Sequence, residues 1–302
     1  FDVGIFLNIS EDHISPIEHP DFDDYLESKL RLFSQCKTAC VNLSTDHVER
    51  VMAAAKNAPR LLTFGTDASA DLRAYRIRKV GTDTVFNVVC DRFDQEFVLE
   101  MPGLFNVENA LAAIAAAYTL DIPVQYMVSG LKRARAKGRM ELYHSKDNKI
   151  AVIVDFAHNK LSFEKLFASA MEEYKGRRII SIFGCPGQKA FVRRQGMGTV
   201  AGKYSDKVYI VPDDPGNEPF EKIAGEIAQY VREQDCPYEI MEDRAEAIKK
   251  AILEVNEPTV FLIAGKGNET TQKCGNVYVP YLSDMVYAKK YIEEYDRVHG
   301  EA

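Results

Sequence analysis

The sequence predicts an α/β protein of two domains, a mixed sheet with helices followed by a doubly wound, Rossmann-like domain. Three observations carry that reading. From Ile150 onward, short apolar runs alternate with segments of helical periodicity. Those runs end in polar or glycine-bearing turns: Asp155–His158, Gly184–Lys189, Asp213–Gly216 and Gly265–Glu269. A chain of 302 residues also exceeds one compact core and divides most naturally in two.

In chain order, Phe1–Leu7 reads as a buried strand. A strand of the parallel type needs neighbours on both sides, so the expectation is that it belongs in the middle of a larger fold. A helix is expected over 21–36, with Phe22, Leu26, Leu30 and Phe33 as its apolar stripe. A strand over 38–42, a helix over 46–55 and a strand over 60–64 follow. Segments 72–80, 84–90 and 97–101 look like an antiparallel meander, turned at Gly81-Thr82-Asp83. Helices are expected over 107–120 and 125–134, and the basic stretch Arg135–Arg139 reads as a linker. The domains are therefore set at 1–139 and 140–302. In the second, strands are expected at 150–155, 178–183, 207–212, 238–241 and 259–264. Helices should fall at 161–174, 196–203, 218–233, 243–255 and 284–295.

Composition narrows the function. With 46% hydrophobic and 27% charged residues, the chain has the makeup of a globular protein. Its net charge of −7 disfavours nucleic acid as a partner, because that binding neutralises phosphate with Lys and Arg. No apolar run approaches a membrane span, so no membrane partner is expected and a cytoplasmic location is. The six cysteines are scattered, and no second Cys or His pair completes a zinc set.

Several side chains stand where chemistry is done. Lys29 falls within the apolar stripe of its helix, where a lysine must snorkel, lose its proton or be modified. A neutral amine can take up carbon dioxide, and the resulting carbamate is an oxygen ligand suited to magnesium. His13, beside Asp12, reads as a metal or phosphate contact. The loops Gly184–Lys189 and Gly265–Gly267 each hold a lysine and backbone N–H groups able to meet phosphate or carboxylate, or are plain turns. Asp213 and Asp214 either bind an ammonium or cap the helix that follows. No Gly-x-x-x-x-Gly-Lys-[Ser/Thr] occurs, so the sequence does not hold a complete ATP site of that type.

Taken in order, these motifs resemble the Mur ligases, ATP-dependent amide-forming enzymes of peptidoglycan precursor synthesis, and within them the tripeptide synthetases. The resemblance rests on Phe1–His13, on Tyr25–Phe33 (YLESKLRLF), and on Gly103–Ala113 (GLFNVENALAA). It rests equally on Gly138–Glu141 (GRME), Asp155–His158 (DFAH), Asp213–Gly216 (DDPG) and Gly265–Glu269 (GKGNE). It implies the C-terminal part of such an enzyme: a partial central ATPase domain plus the C-terminal ligase domain, completed by the N-terminal portion of the same ligase, and inactive alone.

The resemblance implies roles. Lys29 would be carbamylated and hold magnesium, with His13 as a further metal contact. Asn106 and Asn109 would meet adenine, Arg139 the phosphates and Asp155 the ribose of ATP. His158 and Lys189 would line the phosphate and acyl side. Asp213, Asp214, Gly265 and Glu269 would receive the amino acid that is joined to a UDP-N-acetylmuramoyl-dipeptide. Enzymes of the family that use meso-diaminopimelate carry arginine where Gly216 stands, so L-lysine is the expected substrate. Two alternatives stay open: another Mur-type ligase, diaminopimelate-adding or folylpolyglutamate synthase-like, and a non-catalytic module that binds a nucleotide or partner.

Overall fold

The computed structural model describes residues 1–81, 83–101, 103 and 105–299. Thr82 of the expected turn, Leu104 of the glycine–asparagine motif and residues 300–302 of the second domain lie outside them. Contacts divide the chain into Phe1–Glu11 with Pro20–Arg135, and Asp12–His19 with Ala136–Ala302. The division falls at Arg135 and assigns the short Asp12–His19 segment to the second unit, whereas the sequence placed it at Arg139 and kept that segment with the first.

The first unit is a six-stranded sheet with helices on both faces. Strands β1 (Val3–Phe6), β2 (Thr38–Asn42), β3 (Arg60–Gly65) and β4 (Leu72–Val80) run parallel, and β5 (Asp83–Val89) and β6 (Asp94–Leu99) continue as an antiparallel meander. Strand alternation sends Ala39 and Val41 to one face and Cys40 to the other. On the first face lie α1 (Phe22–Leu30), a short 3-10 helix (Arg31–Gln35) and α2 (Val48–Ala55), which bury Leu26, Phe33 and Val51. On the second lie α3 (Asn106–Thr119) and α4 (Val124–Lys132), which bury Leu111, Ile114 and Leu131. Asp21 caps α1 by accepting the Asp24 N–H at 2.9 Å. The helix expected to reach residue 36 tightens to 3-10 after Leu30, and β6 begins three residues before the expected 97.

In the second unit, β8 (Ile150–Asp155), β9 (Arg178–Phe183), β10 (Lys207–Ile210), β11 (Tyr238–Ile240) and β12 (Thr259–Ala264) are parallel. The strand order is β11-β10-β9-β12-β8, extended by β7 (Glu141–His144), which pairs antiparallel to β8. Because β12 is inserted between β8 and β9, the chain reverses direction across the sheet there, and polar loops gather at those carboxyl ends. Helices α8 (Arg244–Leu253) and α9 (Asp284–His299) cover the face that carries Val152, Ile180, Ile182 and Phe261.

The opposite face carries α5 (Lys160–Glu173), α6 (Val192–Tyr204) and α7 (Phe220–Arg232), with Phe163 packed edge-on to Phe183 at 4.9 Å. The expected helix over 196–203 begins four residues earlier, the strand expected to reach 212 stops at Ile210, and β7 is an addition. A hairpin of β13 (Thr271–Cys274) and β14 (Val277–Pro280) is also new, since strands of four residues give periodicity too little length to register.

Two glycines fix how closely the loops of this unit approach. A Cβ at Gly184 would stand 2.0 Å from the Val211 carbonyl oxygen, and one at Gly187 would stand 1.9 Å from that of Pro215. The loop after β9 therefore lies backbone to backbone against the loop after β10. Gly225, in the exposed middle of α7, has nothing within 4 Å. We expect Gly187→Ala to lower the melting temperature by at least ~5 °C, and Gly225→Ala to raise it by roughly 1–3 °C through helix propensity, both read by thermal circular dichroism.

Candidate functional site

The carboxyl ends of β10 and β12 hold a buried network that the sequence only partly foretold. Arg244, the first residue of α8, donates from Nε and Nη2 to the Asp284 carboxylate at 2.9 and 2.7 Å. The same guanidinium donates to the Ala264 carbonyl at 2.7 Å and to that of Pro212 at 3.4 Å. Tyr281 completes Asp284 with a 2.7 Å hydrogen bond. Burial works against the Arg244 charge, yet Asp284 outweighs it and raises the pKa; burial raises that of Tyr281. Removing one member of such a buried pair costs ~3–5 kcal/mol, because the other charge is left without a partner.

Above this pair stand Asp213, Asp214, Lys266 and Glu269. Lys266 is 0% exposed, and its ammonium donates to Asp214 at 2.9 Å and Glu269 at 2.8 Å. Burial lowers its pKa, but Asp213, Glu269 and Asp214 together outweigh that and leave it raised, so the group is charged. The Lys273 N–H adds a 3.0 Å bond to Asp214. The carboxylates that this loop lysine meets are the protein's own.

Asp213 is different. Among the described residues no hydrogen-bond donor is recorded on its carboxylate, while its carbonyl accepts Gln272 Nε2 at 2.7 Å. Burial pushes its pKa up to about 6, against the pull of Lys266 and Arg244. A Cβ at Gly265 would fall 2.7 Å from its Oδ2, and Gly265 has φ +108°, so only glycine fits there. The capping alternative for Asp213 and Asp214 does not hold, since α7 starts at Phe220 after Pro219 with no side-chain cap.

At the end of β8, Asp155 is held by backbone donors: Met140 N–H at 2.8 Å and Ala157 N–H at 2.7 Å. Burial raises its pKa more than these donors and Arg139 lower it. Arg139 is exposed, with its guanidinium 4.5 Å from the centre of the Phe156 ring. A Cβ at Gly138 would meet the Asn268 N–H nitrogen at 2.5 Å, which seats this turn against the loop after β12. His158 is half-buried, with Nδ1 2.8 Å from the Phe156 carbonyl, and burial then Arg193 lower its pKa. In the neutral ring that contact puts the proton on Nδ1.

The Asp12–His19 segment is anchored within the same unit. Arg193 grips Asp12 with two bonds of 2.7 and 3.0 Å, and Asn159 Nδ2 reaches it at 3.2 Å. Burial raises the Asp12 pKa, but Arg193 overcomes this and holds it low. His13 Nδ1 lies 2.8 Å from Glu18, which also accepts Ser15 Oγ at 2.8 Å and the Ala190 N–H at 3.0 Å. Lys189 is exposed in the loop after β9. That loop is braced by Glu218, which accepts the Gln188 N–H at 2.7 Å and pairs with Arg194 at 2.7 Å. Arg194 above all holds the Glu218 carboxyl down at about 2. Beside Gly216, whose missing side chain would stand 3.4 Å from Gln188 Oε1, is a cleft of about 450 Å³ walled by Pro16, Ile17, Phe191 and Pro219, with Lys222 paired to Glu218 at 3.1 Å.

The other expected residues lie in the first unit. Asn106 is buried at the start of α3, and Asn109, exposed one turn on, donates to its side-chain oxygen at 2.9 Å. Lys29 lies outside the apolar stripe in which the sequence placed it: it is exposed, with its ammonium 5.2 Å from the centre of the Tyr25 ring. His13 belongs to the second unit and has a carboxylate partner. Among the described residues no group of three or more His, Cys, Asp or Glu could hold a metal ion. The residues present do not form a magnesium cage, and the chemistry proposed for the chain does not pass through one.

Sequence reasoning missed Arg193, Arg194, Arg244, Tyr281 and Asp284. The signal available was the Arg-Arg pair in a helix otherwise rich in glycine and small apolar residues. Its partners, 181 residues away for Asp12 and 24 for Glu218, are not visible in local pattern.

The family model for the Mur ligase middle domain matches residues 1–117, and that for the Mur ligase glutamate ligase domain matches 138–267. A UDP-N-acetylmuramyl-tripeptide synthetase of Lactobacillus delbrueckii subsp. bulgaricus is 34% identical, over 98% of this chain and 61% of its own length. A UDP-N-acetylmuramoyl-L-alanyl-D-glutamate–L-lysine ligase of Streptococcus sanguinis is 35% identical, over 97% of this chain and 58% of its own. Among solved structures, a UDP-N-acetylmuramoyl-L-alanyl-D-glutamate–2,6-diaminopimelate ligase matches with a TM-score of 0.55 and 26% identity, over 97% of this chain and 60% of that one. The chain thus spans about three fifths of the length of the curated relatives it matches. No helix among the described residues is long and apolar enough to cross a membrane.

The raised pKa of Asp213 bears on stability. An acid whose folded pKa lies above its unfolded value destabilises the fold as pH rises through that window, here from about 4 to about 6. Asp213→Asn should therefore stabilise the protein at pH 7 by up to ~2–3 kcal/mol and bring no gain below about pH 4, read by urea denaturation at the two pH values.

Proposed function

We propose that this chain, which belongs to the Mur ligase family, serves an ATP-dependent ligase that adds the third amino acid to a UDP-N-acetylmuramoyl-dipeptide in peptidoglycan precursor synthesis. The observation that carries this reading is the group of carboxylates at the ends of β10 and β12, where Asp213 stands without a protein donor among the described residues. An ammonium is the ligand such a group favours.

In the reaction proposed, a substrate carboxylate attacks the γ-phosphate of ATP, giving an acyl phosphate and ADP. The incoming ammonium gives up one proton to solvent, the free amine attacks the acyl carbon, and phosphate leaves with its electron pair as the surplus N–H proton of the tetrahedral intermediate also passes to solvent. Asp213, with Asp214 and Glu269 beside it, orients the amine on entry. Lys189 and His158 face the charge that grows on the acyl phosphate and in the tetrahedral intermediate. Asn106 and Asn109 serve adenine, Arg139 the phosphates and Asp155 the ribose, while the carbamate of Lys29 and the metal contact of His13 rest on the family resemblance alone.

L-lysine is the amino acid we favour. Gly216 has no side chain to clamp a second carboxylate, and Pro16, Ile17, Phe191 and Pro219 give the cleft beside it an apolar wall that suits a methylene chain, next to Gln188, Asn217 and Glu218. The one cation among its lining residues, Lys222, is already paired to Glu218. A phosphate-release assay on the whole ligase should show kcat/KM for L-lysine at least about tenfold above that for meso-diaminopimelate. The reverse preference would retire the assignment of lysine.

A further inference from the structure

Lys266 bears on how the amine pocket of the proposed function is built. It leaves β12 at a point where a ligand-facing cation would be expected, yet it is 0% exposed and points into the protein. Its ammonium joins Asp214, on the loop after β10, to Glu269, on the loop after β12, at 2.9 and 2.8 Å. Beneath it the Arg244 guanidinium ties the Pro212 and Ala264 carbonyls, one residue before each loop turns. The two loops are thus held together at two levels, by a guanidinium at their roots and by an ammonium at their rims.

We propose that Lys266 is a positioning residue, an internal ammonium that staples Asp214 to Glu269 and so fixes the mouth of the pocket into which the substrate amine enters. Three carboxylates within one small site repel each other, and with the staple removed the two loops relieve that repulsion by moving apart. Asp214 and Glu269 then no longer frame Asp213. The stem of Lys266 does not touch the amine in this account; its charge acts through the two acids. The staple is a property of the fold, whereas its consequence for the amine rests on the function proposed above.

Chemical rescue separates the charge from the stem. In the 302-residue chain, Lys266→Ala should lower the melting temperature by about 5–10 °C. Methylammonium chloride at about 100 mM should restore at least half of that loss, with sodium chloride at equal ionic strength restoring little and the wild type unmoved. Lys266→Arg, which keeps the charge, should fold and melt closer to wild type than Lys266→Met, which keeps only the stem. If methylammonium restores nothing, or Met substitutes better than Arg, the staple is overturned. In the whole ligase, Lys266→Ala should raise the amine KM about tenfold while the KM for ATP stays within about twofold, and methylammonium should reverse the change. Recovery of the melting temperature with an unmoved amine KM would leave the staple standing and overturn the amine-pocket reading.

Discussion

A charged guanidinium in the interior sets the terms for the second unit. Arg244 is buried to 3% exposure, and such a charge is tolerated only when its donors are met. Asp284 meets two of them, and the carbonyls of Ala264 and Pro212 take others. The pair therefore joins the starts of α8 and α9 to the ends of β10 and β12. Apolar side chains of the right volume would pack this space with more stability and less direction. What the ion pair supplies is a fixed origin for two loops, and the acids and glycines of those loops are placed from there.

The polar residues at the strand ends divide into two kinds of work. Asp12 and Glu218 spend their oxygens on backbone N–H groups and arginines, and so hold turns in shape. Asp213, Lys189 and Arg139 are turned outward or lack a recorded acid–base partner at hydrogen-bond distance among the described residues. Burial without a donor raises the Asp213 pKa to about 6, whereas Glu218, with Arg194 against it, is held at about 2. Two carboxylates within one loop system are thus set apart by their surroundings.

Most of the fold was legible because its strands are buried on both faces and read as continuous apolar runs. β8, β9 and β12 fall where Ile150–Asp155, Arg178–Phe183 and Thr259–Ala264 predicted them. β7 and the β13–β14 hairpin were not legible, being short and only half-buried. Lys29 was misread because a helical stripe reports which face is apolar, not how far its edge extends. Of the site, the loops at Asp213 and Gly265 were visible as turns with unusual composition. The arginines that hold them were not, since Arg244 and Asp284 are 40 residues apart and nothing local distinguishes a buried pair from two surface charges.

The loops after β10 and β12 are proposed to form an amine-binding pocket. Amide chemical shifts of the isotope-labelled chain, followed during titration with L-lysine, test it most directly. Saturable shifts concentrated at residues 213–216 and 265–269, abolished by Asp213→Asn, are the expected result. Shifts confined to another surface, such as the groove lined by Arg92, Tyr118 and Met127 in the first unit, would contradict it.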